Sequence, residues 1–550
     1  MSVVGDYDYI IVGAGSAGCV LANRLTEDAG ARVLLLEAGG HDTHPYISIP
    51  LGLGKLQQHQ MFDWGYKTEP EPNLNGRQLT VLRGKVLGGS SSTNVMAYSR
   101  GHRNDYDRWA YEGATGWSYD EVLPYFRRSE TWEDGGNGWR GGSGPLGTQW
   151  AKMKDPIYDA WIEAGKLAGW PVTDDYNGVE AEGFGRGQLT IRNGRRSSAS
   201  TAYLHPIRHR TNLSLRIGAH ATGLLRRATR ATGVEFVCRG AMEQARATRE
   251  VILCGGTFNS PQLLMLSGIG PADHLRQLGI SSVADLPVGQ NLQDHLAVWM
   301  MWARRTRGPF HRLMRYDRMA VKMAQAYLFG AGSAATAPLG LFAFLKTRPN
   351  LAVPDIEFMF RPTALDAHLW FPGVKAPYQD GYGIRPALLH PRSRGQVLLR
   401  SADPIAPVRI NFNFLSHPED LATLRNAFRH AREVASQKPL DPFRGREVSP
   451  MSSVDTDAEI DVWIRKTVVT VNHPLGTCAM GDGPHTVLDS QLRVRGIEGL
   501  RVVDASAFPD MPSGHINACV MMLAERASDL IRGLPPLTQC QLPSSSRQEN

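Results

Sequence analysis

The sequence predicts an α/β protein with two domains, and three observations support this prediction. The length of 550 residues exceeds what one small hydrophobic core can hold. A hydrophobic content of 42%, a charged content of 21% and 57 glycines are typical of an ordinary α/β protein. Finally, a short apolar strand at Tyr7–Val12 runs directly into a glycine-rich segment, after which helical and strand patterns alternate.

The clearest local pattern is the glycine-rich loop GAGSAG at residues 13–18. Apolar residues then recur every four positions as far as Leu25, which predicts one face of a helix that Gly30 ends. A second buried strand follows at 31–36, and Glu37 closes it. The glycines allow a tight turn against a pyrophosphate at the helix N-terminus, and the acid can accept from ribose hydroxyls. This pattern predicts a Rossmann-like domain that binds NAD or FAD.

A second glycine-rich loop, RGKVLGGSSSTNVMAYSRG, spans residues 83–101. Its paired glycines and three serines expose amides and hydroxyls, which suits contact with a phosphate or a flat ring. Apolar residues on both sides favour a buried loop over a flexible surface loop. Residues 102–150 are expected to form helices and loops that cover this site.

Two histidines, His473 and His515, lie in the segments KTVVTVNHPLGTCAMG and LRVVDASAFPDMPSGHINACVMM. The proline after His473 favours an extended backbone at the end of a strand. Asn517 begins a predicted helix that Gly533 ends. The positive N-terminus of this helix would point at the space between the histidines, where an anionic group is favoured. The alternative is two unrelated histidines that bind backbone groups.

Residues 301–474 combine helical stretches, proline-rich loops and strand patterns, which predicts a substrate domain. Before it, LPVGQNLQDH at 286–295 forms another glycine-containing loop with Asp294 and His295. The basic run at 192–196 is expected on a solvated surface. A second basic group could lie on an anionic membrane surface, although an ordinary helix with a charged outer face also explains it. Its members are Arg304, Arg305, Arg307, Arg312, Arg315, Arg318 and Lys322.

Composition excludes several classes of protein. The net charge of +7 is modest, and no lysine and arginine run predicts binding to nucleic acid. The six cysteines are scattered without C-x-x-C pairs, which argues against a zinc module or a disulfide framework and fits a reducing compartment. Neither a secretory signal nor an apolar segment long enough to span a membrane is visible. We therefore expect a cytoplasmic protein without a metal.

Six motifs together resemble those of the glucose–methanol–choline (GMC) oxidoreductases. They are GAGSAG with Glu37, GKVLGGSSSTN, GGTFNSPQLLMLSGIG, VGQNLQDH, HPLGTCAMG and DASAFP…HIN, and they span positions 13–517. One departure is Thr93, where the second motif more often has an aliphatic residue. The sequence looks most similar to bacterial choline dehydrogenases and to sorbose dehydrogenase-like members.

The resemblance implies a Rossmann-like FAD-binding domain assembled from discontinuous segments. It also implies a substrate domain in which helices flank an antiparallel sheet over the flavin. We expect the FAD-binding domain at residues 1–150, 210–300 and 475–535, the substrate domain at 151–209 and 301–474, and a disordered tail at 536–550.

The resemblance also assigns roles to residues. Those that would bind FAD are Gly13, Gly15, Ser16, Gly18 and Glu37 at the adenosine diphosphate part, Gly89, Ser90, Asn94 and Met96 near the isoalloxazine, and Asp504 and Asn517 at the flavin end. His473 matches the catalytic histidine of the family, and His515 matches its partner, which is His or Asn. Thr93 stands where some relatives link a histidine to the flavin, so we expect noncovalent FAD.

Alcohol oxidation removes a hydroxyl proton and a carbinol hydride. The hydroxyl is too weak an acid to ionise unaided, so an imidazole base is needed, and flavin N5 takes the hydride. We expect a neutral primary alcohol or polyol as substrate, with a quinone, a dye-like acceptor or oxygen receiving the electrons. Choline is expected to be a poor substrate because Asn472 stands where choline-specific relatives carry an aromatic residue.

Other functions explain fewer of these residues. Photodecarboxylase-like flavoenzymes, which remove carbon dioxide from fatty acids, lack the histidine that His473 matches. A non-catalytic flavin-binding protein would need no paired histidines. A nicotinamide-dependent dehydrogenase leaves the later motifs unused, and no G-x-S-x-G sequence supports a serine hydrolase. His473, Cys478 and His485 have a spacing that matches no common zinc site.

Overall fold

The computed structural model describes residues 2–538, which build two large sheets with helices around them. The α-helices span Ser16–Leu25, Pro45–Ser48, Leu53–Gln58, Arg103–Tyr111, Tyr119–Ser129, Ile157–Leu167, Gly256–Leu266, Ala272–Gln277, Pro309–Leu313, Tyr316–Phe329, Pro418–Ser436, Asp457–Thr467 and Asn517–Arg532. Short sheets pair Tyr66–Lys67 with Thr80–Val81, Ile191–Arg192 with Arg195–Arg196, Gln396–Leu398 with Arg409–Asn411, and Leu146–Trp150 with Glu130–Trp132 and Gln188–Leu189. The mixture of helices and sheets confirms the predicted α/β class.

The first sheet has seven strands drawn from distant parts of the chain. Its order is Leu213–Ile217, Val33–Glu37, Ser2–Val12, Ala241–Leu253, Arg230–Cys238 and Ala219–Arg227, and Leu500–Val502 pairs with Ala241–Leu253. The central strands are parallel, and every residue of Val33–Glu37 is buried. Burial on both faces explains why these strands read as continuous apolar runs.

The helix after the glycine-rich loop ends at Leu25, before the predicted end at Gly30. The hydroxyl of Thr26 donates to the carbonyl of Ala22 over 2.7 Å and caps the last turn. The Asn212 side chain donates to the carbonyls of three residues between positions 26 and 31. These carbonyls are therefore not available for further helical turns.

The second sheet has eight strands, and all its pairs are antiparallel. Its order is Arg444–Ser449, Met300–Arg304, Gly381–Leu388, Ile356–Arg361, Leu341–Leu345 and Gly183–Arg186, with Leu296–Ala297 between Gly381–Leu388 and Val469–Thr470. The helix Pro418–Ser436 packs on one face through Leu424 and Phe428, within a core that includes Phe358. The opposite face is turned to the cavity described below. The domain limits given above remain a prediction.

The basic group from Arg304 to Lys322 does not form one surface. Arg304 is buried and makes a two-pronged ion pair of 2.7 Å with Asp155, so its predicted surface position is wrong. Arg318 and Lys322 lie on the helix Tyr316–Phe329.

No helix within residues 2–538 is both long and apolar enough to cross a membrane. Most of the tail predicted to be disordered, from residue 539 onward, lies outside the described part of the chain.

Candidate active site

A cavity of about 1150 Å³ is lined by residues of both large sheets. Gly13, Gly15 and Ser16 of the first glycine-rich loop line it, and so do His473 and His515. Most of the residues predicted to hold FAD line this cavity: Gly13, Gly15, Ser16, Glu37, Gly89, Ser90, Asn94, Met96, Asp504 and Asn517. The fold therefore brings together side chains that are separated by up to about five hundred positions in the sequence.

The glycines of the two loops are required by close packing. A Cβ on Gly18 would lie 1.9 Å from the carbonyl oxygen of Gly13, and one on Gly89 would lie 2.8 Å from the Cα of Gly15. Gly89 also has a left-handed backbone, with φ of 54°. Gly18 thus closes the strand–helix turn, and Gly89 brings the second loop against the first helix N-terminus.

Glu37 orders the backbone beside the cavity. Its carboxylate accepts from the backbone N–H of Ala14 over 2.9 Å and of Gly39 over 2.8 Å. Burial raises the pKa of Glu37 to about 7, although both hydrogen bonds oppose that rise. Each carboxylate oxygen retains a second acceptor position, so contact with a ribose hydroxyl is chemically possible and stays a prediction.

The second glycine-rich loop is held by a buried arginine that the sequence pattern did not identify. Arg196 donates through Nη1 to the backbone oxygen and the Oδ1 of Asn94, both over 2.8 Å, and to the carbonyl of Ser91. Its Nε donates to the carbonyl of Ile47 over 2.9 Å. The prediction of a solvated surface is therefore wrong for Arg196. Its acceptors, which are mostly backbone carbonyls, are invisible in a sequence.

Two helix N-termini meet at the cavity. The Ser16 hydroxyl donates to Oδ1 of Asn517 over 2.8 Å, which joins the first turns of Ser16–Leu25 and Asn517–Arg532. The second helix has its predicted bounds, with Gly533 in a left-handed conformation at its end. First-turn N–H groups are free to bind an anion, so this corner suits phosphate or another negative group.

Asp504 accepts several hydrogen bonds from other groups of the protein. Its carboxylate accepts from the backbone N–H of Gly256 over 2.8 Å, from the Ser260 hydroxyl over 2.6 Å and from the Ser506 backbone over 2.8 Å. Asp504 therefore joins its own segment to the first turn of the helix Gly256–Leu266 beside the cavity. Together with the glycine cradle and the two helix N-termini, this donor set fits FAD.

His473 stands in a chain of three histidines and one carboxylate. Its Nδ1 lies 2.9 Å from Nδ1 of His295, and its Nε2 lies 3.4 Å from Nδ1 of His515. Nε2 of His515 lies 3.0 Å from Oε1 of Glu357. The two predicted catalytic histidines are thus neighbours, and the alternative of two unrelated histidines is wrong.

The partners at both ends of the chain determine the protons within it. At one end the backbone of Leu389 acts on His295 as an acceptor would and favours a proton on its ring, and at the other end Nε2 of His515 lies 3.0 Å from the Glu357 carboxylate. A proton on Nε2 of His295 leaves its Nδ1 free to accept from His473. His473 is then neutral with its proton on Nδ1. This arrangement leaves the Nε2 lone pair of His473 directed towards His515.

Burial favours the same protonation states. Burial is the largest cause that lowers the pKa of His473 well below its ordinary 6.5, and the neighbouring His515 and His295 act in the same direction. Burial likewise lowers the pKa of His295 to about 3. Burial tends to raise the pKa of Glu357, but His515 and Arg385 outweigh it and hold that pKa below its ordinary value. His473 is therefore a neutral imidazole near neutral pH.

The backbone around His473 is anchored separately. Asp294 accepts from the backbone N–H of His473 over 2.8 Å and from the Thr470 hydroxyl. Asn472 adopts a left-handed φ of 64°, and its Oδ1 accepts from the backbone of Leu82 over 2.8 Å. The strand ends at Thr470, so His473 follows a strand end, as predicted.

Sequence reasoning noted His295 but gave it no role, and it missed Glu357. The motif VGQNLQDH placed His295 beside Asp294, and this pairing of an acid and a histidine was the available signal. Glu357 lies in the apolar strand IEFMFR, where a lone acid that faces a buried side should have been noticed.

Comparison with known proteins gives a consistent result. Models of the GMC oxidoreductase N-terminal and C-terminal domains match residues 7–297 and 391–524. An oxygen-dependent choline dehydrogenase of Sinorhizobium fredii is 44% identical over 535 residues, which cover 97% of this chain and 96% of the relative.

Solved structures of other proteins also match the fold of this chain. A pyridoxine 4-oxidase from Mesorbium loti matches with a TM-score of 0.86 and 32% identity, covering 96% of this chain and 100% of the other. A formate oxidase of Aspergillus oryzae RIB40, studied for the modification of its FAD, matches with a TM-score of 0.87 and 27% identity, covering 97% and 99%.

Proposed function

This chain belongs to the GMC oxidoreductase family, and from that premise we propose that it oxidises an alcohol to a carbonyl with His473 as the base. Membership makes it a FAD-dependent oxidoreductase that acts on CH–OH donors. The observation that carries the proposal is the neutral His473, which lines the cavity beside His515.

FAD, held by the two glycine-rich loops and the helix N-terminus at Asn517, would supply a hydride acceptor for the alcohol carbon. His473 accepts the hydroxyl proton at Nε2, the nitrogen that carries the lone pair. Its Nδ1–H meanwhile donates to His295, which fixes the ring plane. A base with this geometry needs no movement before it receives the proton.

His515 supplies positive charge where the alcohol oxygen becomes negative. Its Nδ1 lies close enough to Nε2 of His473 for one hydroxyl oxygen to reach both atoms. Glu357 lies 3.0 Å from the opposite ring nitrogen of His515 and fixes the orientation of the ring. A fixed donor in a water-poor cavity stabilises a developing alkoxide more strongly than water does.

The substrate end of the cavity is mainly apolar. Its lining includes Trp299, Phe310, Met314, Leu339, Met359 and Leu365. Glu357 lies on the same side of the cavity, but it is already paired with His515. These contacts support a primary alcohol or a polyol without a positive charge over a quaternary ammonium alcohol, which would need a free acid or an open aromatic face.

Oxygen is the electron acceptor that we propose. Its support is indirect, since the relatives include an oxygen-dependent choline dehydrogenase and two oxidases. Reoxidation of the reduced enzyme by air, compared with a quinone under argon, tests this choice. If the quinone reoxidises the enzyme and air does not, the acceptor is a quinone and not oxygen.

The visible spectrum of the purified protein tests the function. We expect flavin absorbance that bleaches when a primary alcohol is added without oxygen. A bound flavin that no alcohol in a panel of neutral, acidic and cationic members can reduce would reject the proposed function. The same sample treated with dithionite provides the control, because it shows that the flavin can be reduced.

A further inference from the structure

The second sheet presents two arginines to the substrate end of the cavity. Met359 pairs with Arg385, and side chains two apart on a strand share a face, so Glu357, Met359 and Arg361 lie on the same side as Arg385. Both arginines line the cavity, as does Trp299. Each guanidinium carbon lies 5.7 Å from the centre of the Trp299 ring.

These guanidinium groups are incompletely satisfied by the protein. The Nε atoms of Arg361 and Arg385 are buried without a hydrogen-bond partner among the described residues. Arg361 donates from Nη2 to the carbonyl of Ala364 over 3.2 Å. Nη2 of Arg385 lies 3.9 Å from Glu357, whose other oxygen lies 3.0 Å from His515. The buried carboxylate of Glu357 therefore faces both His515 and Arg385, and Arg361 contacts the same tryptophan ring as Arg385.

The remaining charges at this end do not supply the missing anion. Asp366 lines the cavity but is exposed to solvent. Burial lowers the pKa of both arginines, with Asp366 opposing it for Arg361 and Glu357 for Arg385. A buried cation without a full partner is costly, so this end of the cavity favours a ligand that brings a negative charge.

We propose that the preferred substrate is an alcohol that also carries a carboxylate, which Arg361 and Arg385 bind while its hydroxyl faces His473. This inference rests on the proposed function and names the substrate class of the same site. Guanidinium groups present paired donors whose geometry matches a carboxylate. Neutral alcohols of the same shape enter the cavity but leave the arginines unpaired.

Matched substrates test the inference. Para-(hydroxymethyl)benzoate and ω-hydroxyhexanoate are each compared with their amides, which keep the shape and remove the charge. We expect kcat/KM for anaerobic flavin reduction to be about 10- to 100-fold higher for each acid, the range that a charged hydrogen bond provides. Equal or lower values for the acid in both pairs would overturn the inference.

Variants assign the preference to the arginines. Arg361→Gln and Arg385→Gln should each reduce the acid-over-amide ratio about tenfold, and Arg→Lys should restore part of that ratio. Arg348→Gln is the matched control, because it removes an exposed positive charge from the segment between two strands of the same sheet. Equal losses for acid and amide would show that the arginines act on the cofactor or the fold, which overturns the inference.

A binding measurement separates this inference from the reaction itself. Benzoate should perturb the flavin absorbance of the oxidised holoenzyme at about tenfold lower concentration than benzamide, and the Gln variants should lose that difference. If neutral alcohols reduce the enzyme but acids are preferred neither in binding nor in turnover, the proposed function stands and this inference is wrong. An enzyme that no alcohol reduces loses both.

Discussion

Nδ1 of His295 lies 2.9 Å from Nδ1 of His473, although the two residues are 178 positions apart in the sequence. The contact engages the ring nitrogen of His473 that faces away from His515. It therefore determines which nitrogen of His473 carries the proton and which carries the lone pair. His295 is a positioning residue, since it acts through His473 and not on the substrate.

His295→Gln should slow flavin reduction about 10- to 100-fold, because the ring of His473 loses its orientation and preferred tautomer. FAD content and the apparent Kd for substrate should change little. Stopped-flow reduction over a range of alcohol concentrations separates the two effects. His485→Gln is the control, since His485 is exposed. A change confined to Kd would show that His295 shapes the pocket instead.

The pH dependence of flavin reduction follows from the pKa of His473. Burial and neighbouring positive charge lower this pKa well below 6.5, so the neutral base persists as the pH falls through that value. We expect the reduction rate to stay level from about pH 9 to about pH 6 and to fall only at lower pH. An acid limb centred near 6.5 would contradict the assigned environment of His473. Retention of FAD across the range is the necessary control.

The cofactor should be held without a covalent bond to the second glycine-rich loop. Thr93 lines the cavity there, and its hydroxyl lacks the nucleophilic ring nitrogen that a histidine would offer. Precipitation with acid should leave a yellow supernatant and a colourless pellet. A pellet that stays yellow after washing in denaturant would disprove noncovalent binding.

Choline should be a poor substrate in spite of the similarity to choline dehydrogenases. A quaternary ammonium binds to an aromatic face or beside an acid. Here Arg361 and Arg385 already approach the Trp299 ring, and Glu357 is already paired with His515. We expect kcat/KM for choline at least about tenfold below that for its neutral isostere, dimethylbutanol. Faster turnover of choline would show that the arginines move aside.

Motifs with local geometry could be interpreted from the sequence alone. The strand, glycine loop and helix around Gly15 are set by neighbours within about forty positions, so the pattern predicts them well. The same holds for the helix that begins at Asn517. Each depends on backbone sterics and apolar spacing, both of which a sequence displays.

Contacts between distant segments were less accessible. Arg196 appeared to be a surface residue because its acceptors, largely backbone carbonyls, carry no sequence signal. Glu357 and Arg385 acquire their roles only when antiparallel pairing places them on one face. Glu357 stands out as a lone acid in an apolar strand, but register between remote strands depends on the whole fold, so its contacts with His515 and Arg385 could not be predicted.

The two cavity histidines should differ in the size of their effects. His473→Ala removes the base and should slow flavin reduction by about two to four orders of magnitude, while the fold and bound FAD are kept. His515→Asn should cost less, because the amide still donates to the alcohol oxygen even though it no longer reaches Glu357 as an imidazolium does. Anaerobic stopped-flow with one alcohol measures both variants, and flavin content and the thermal midpoint serve as controls. A much slower His515→Asn would reverse the two roles. Unchanged rates in both variants would make the histidines structural, because a base that accepts the hydroxyl proton cannot be removed without slowing the step.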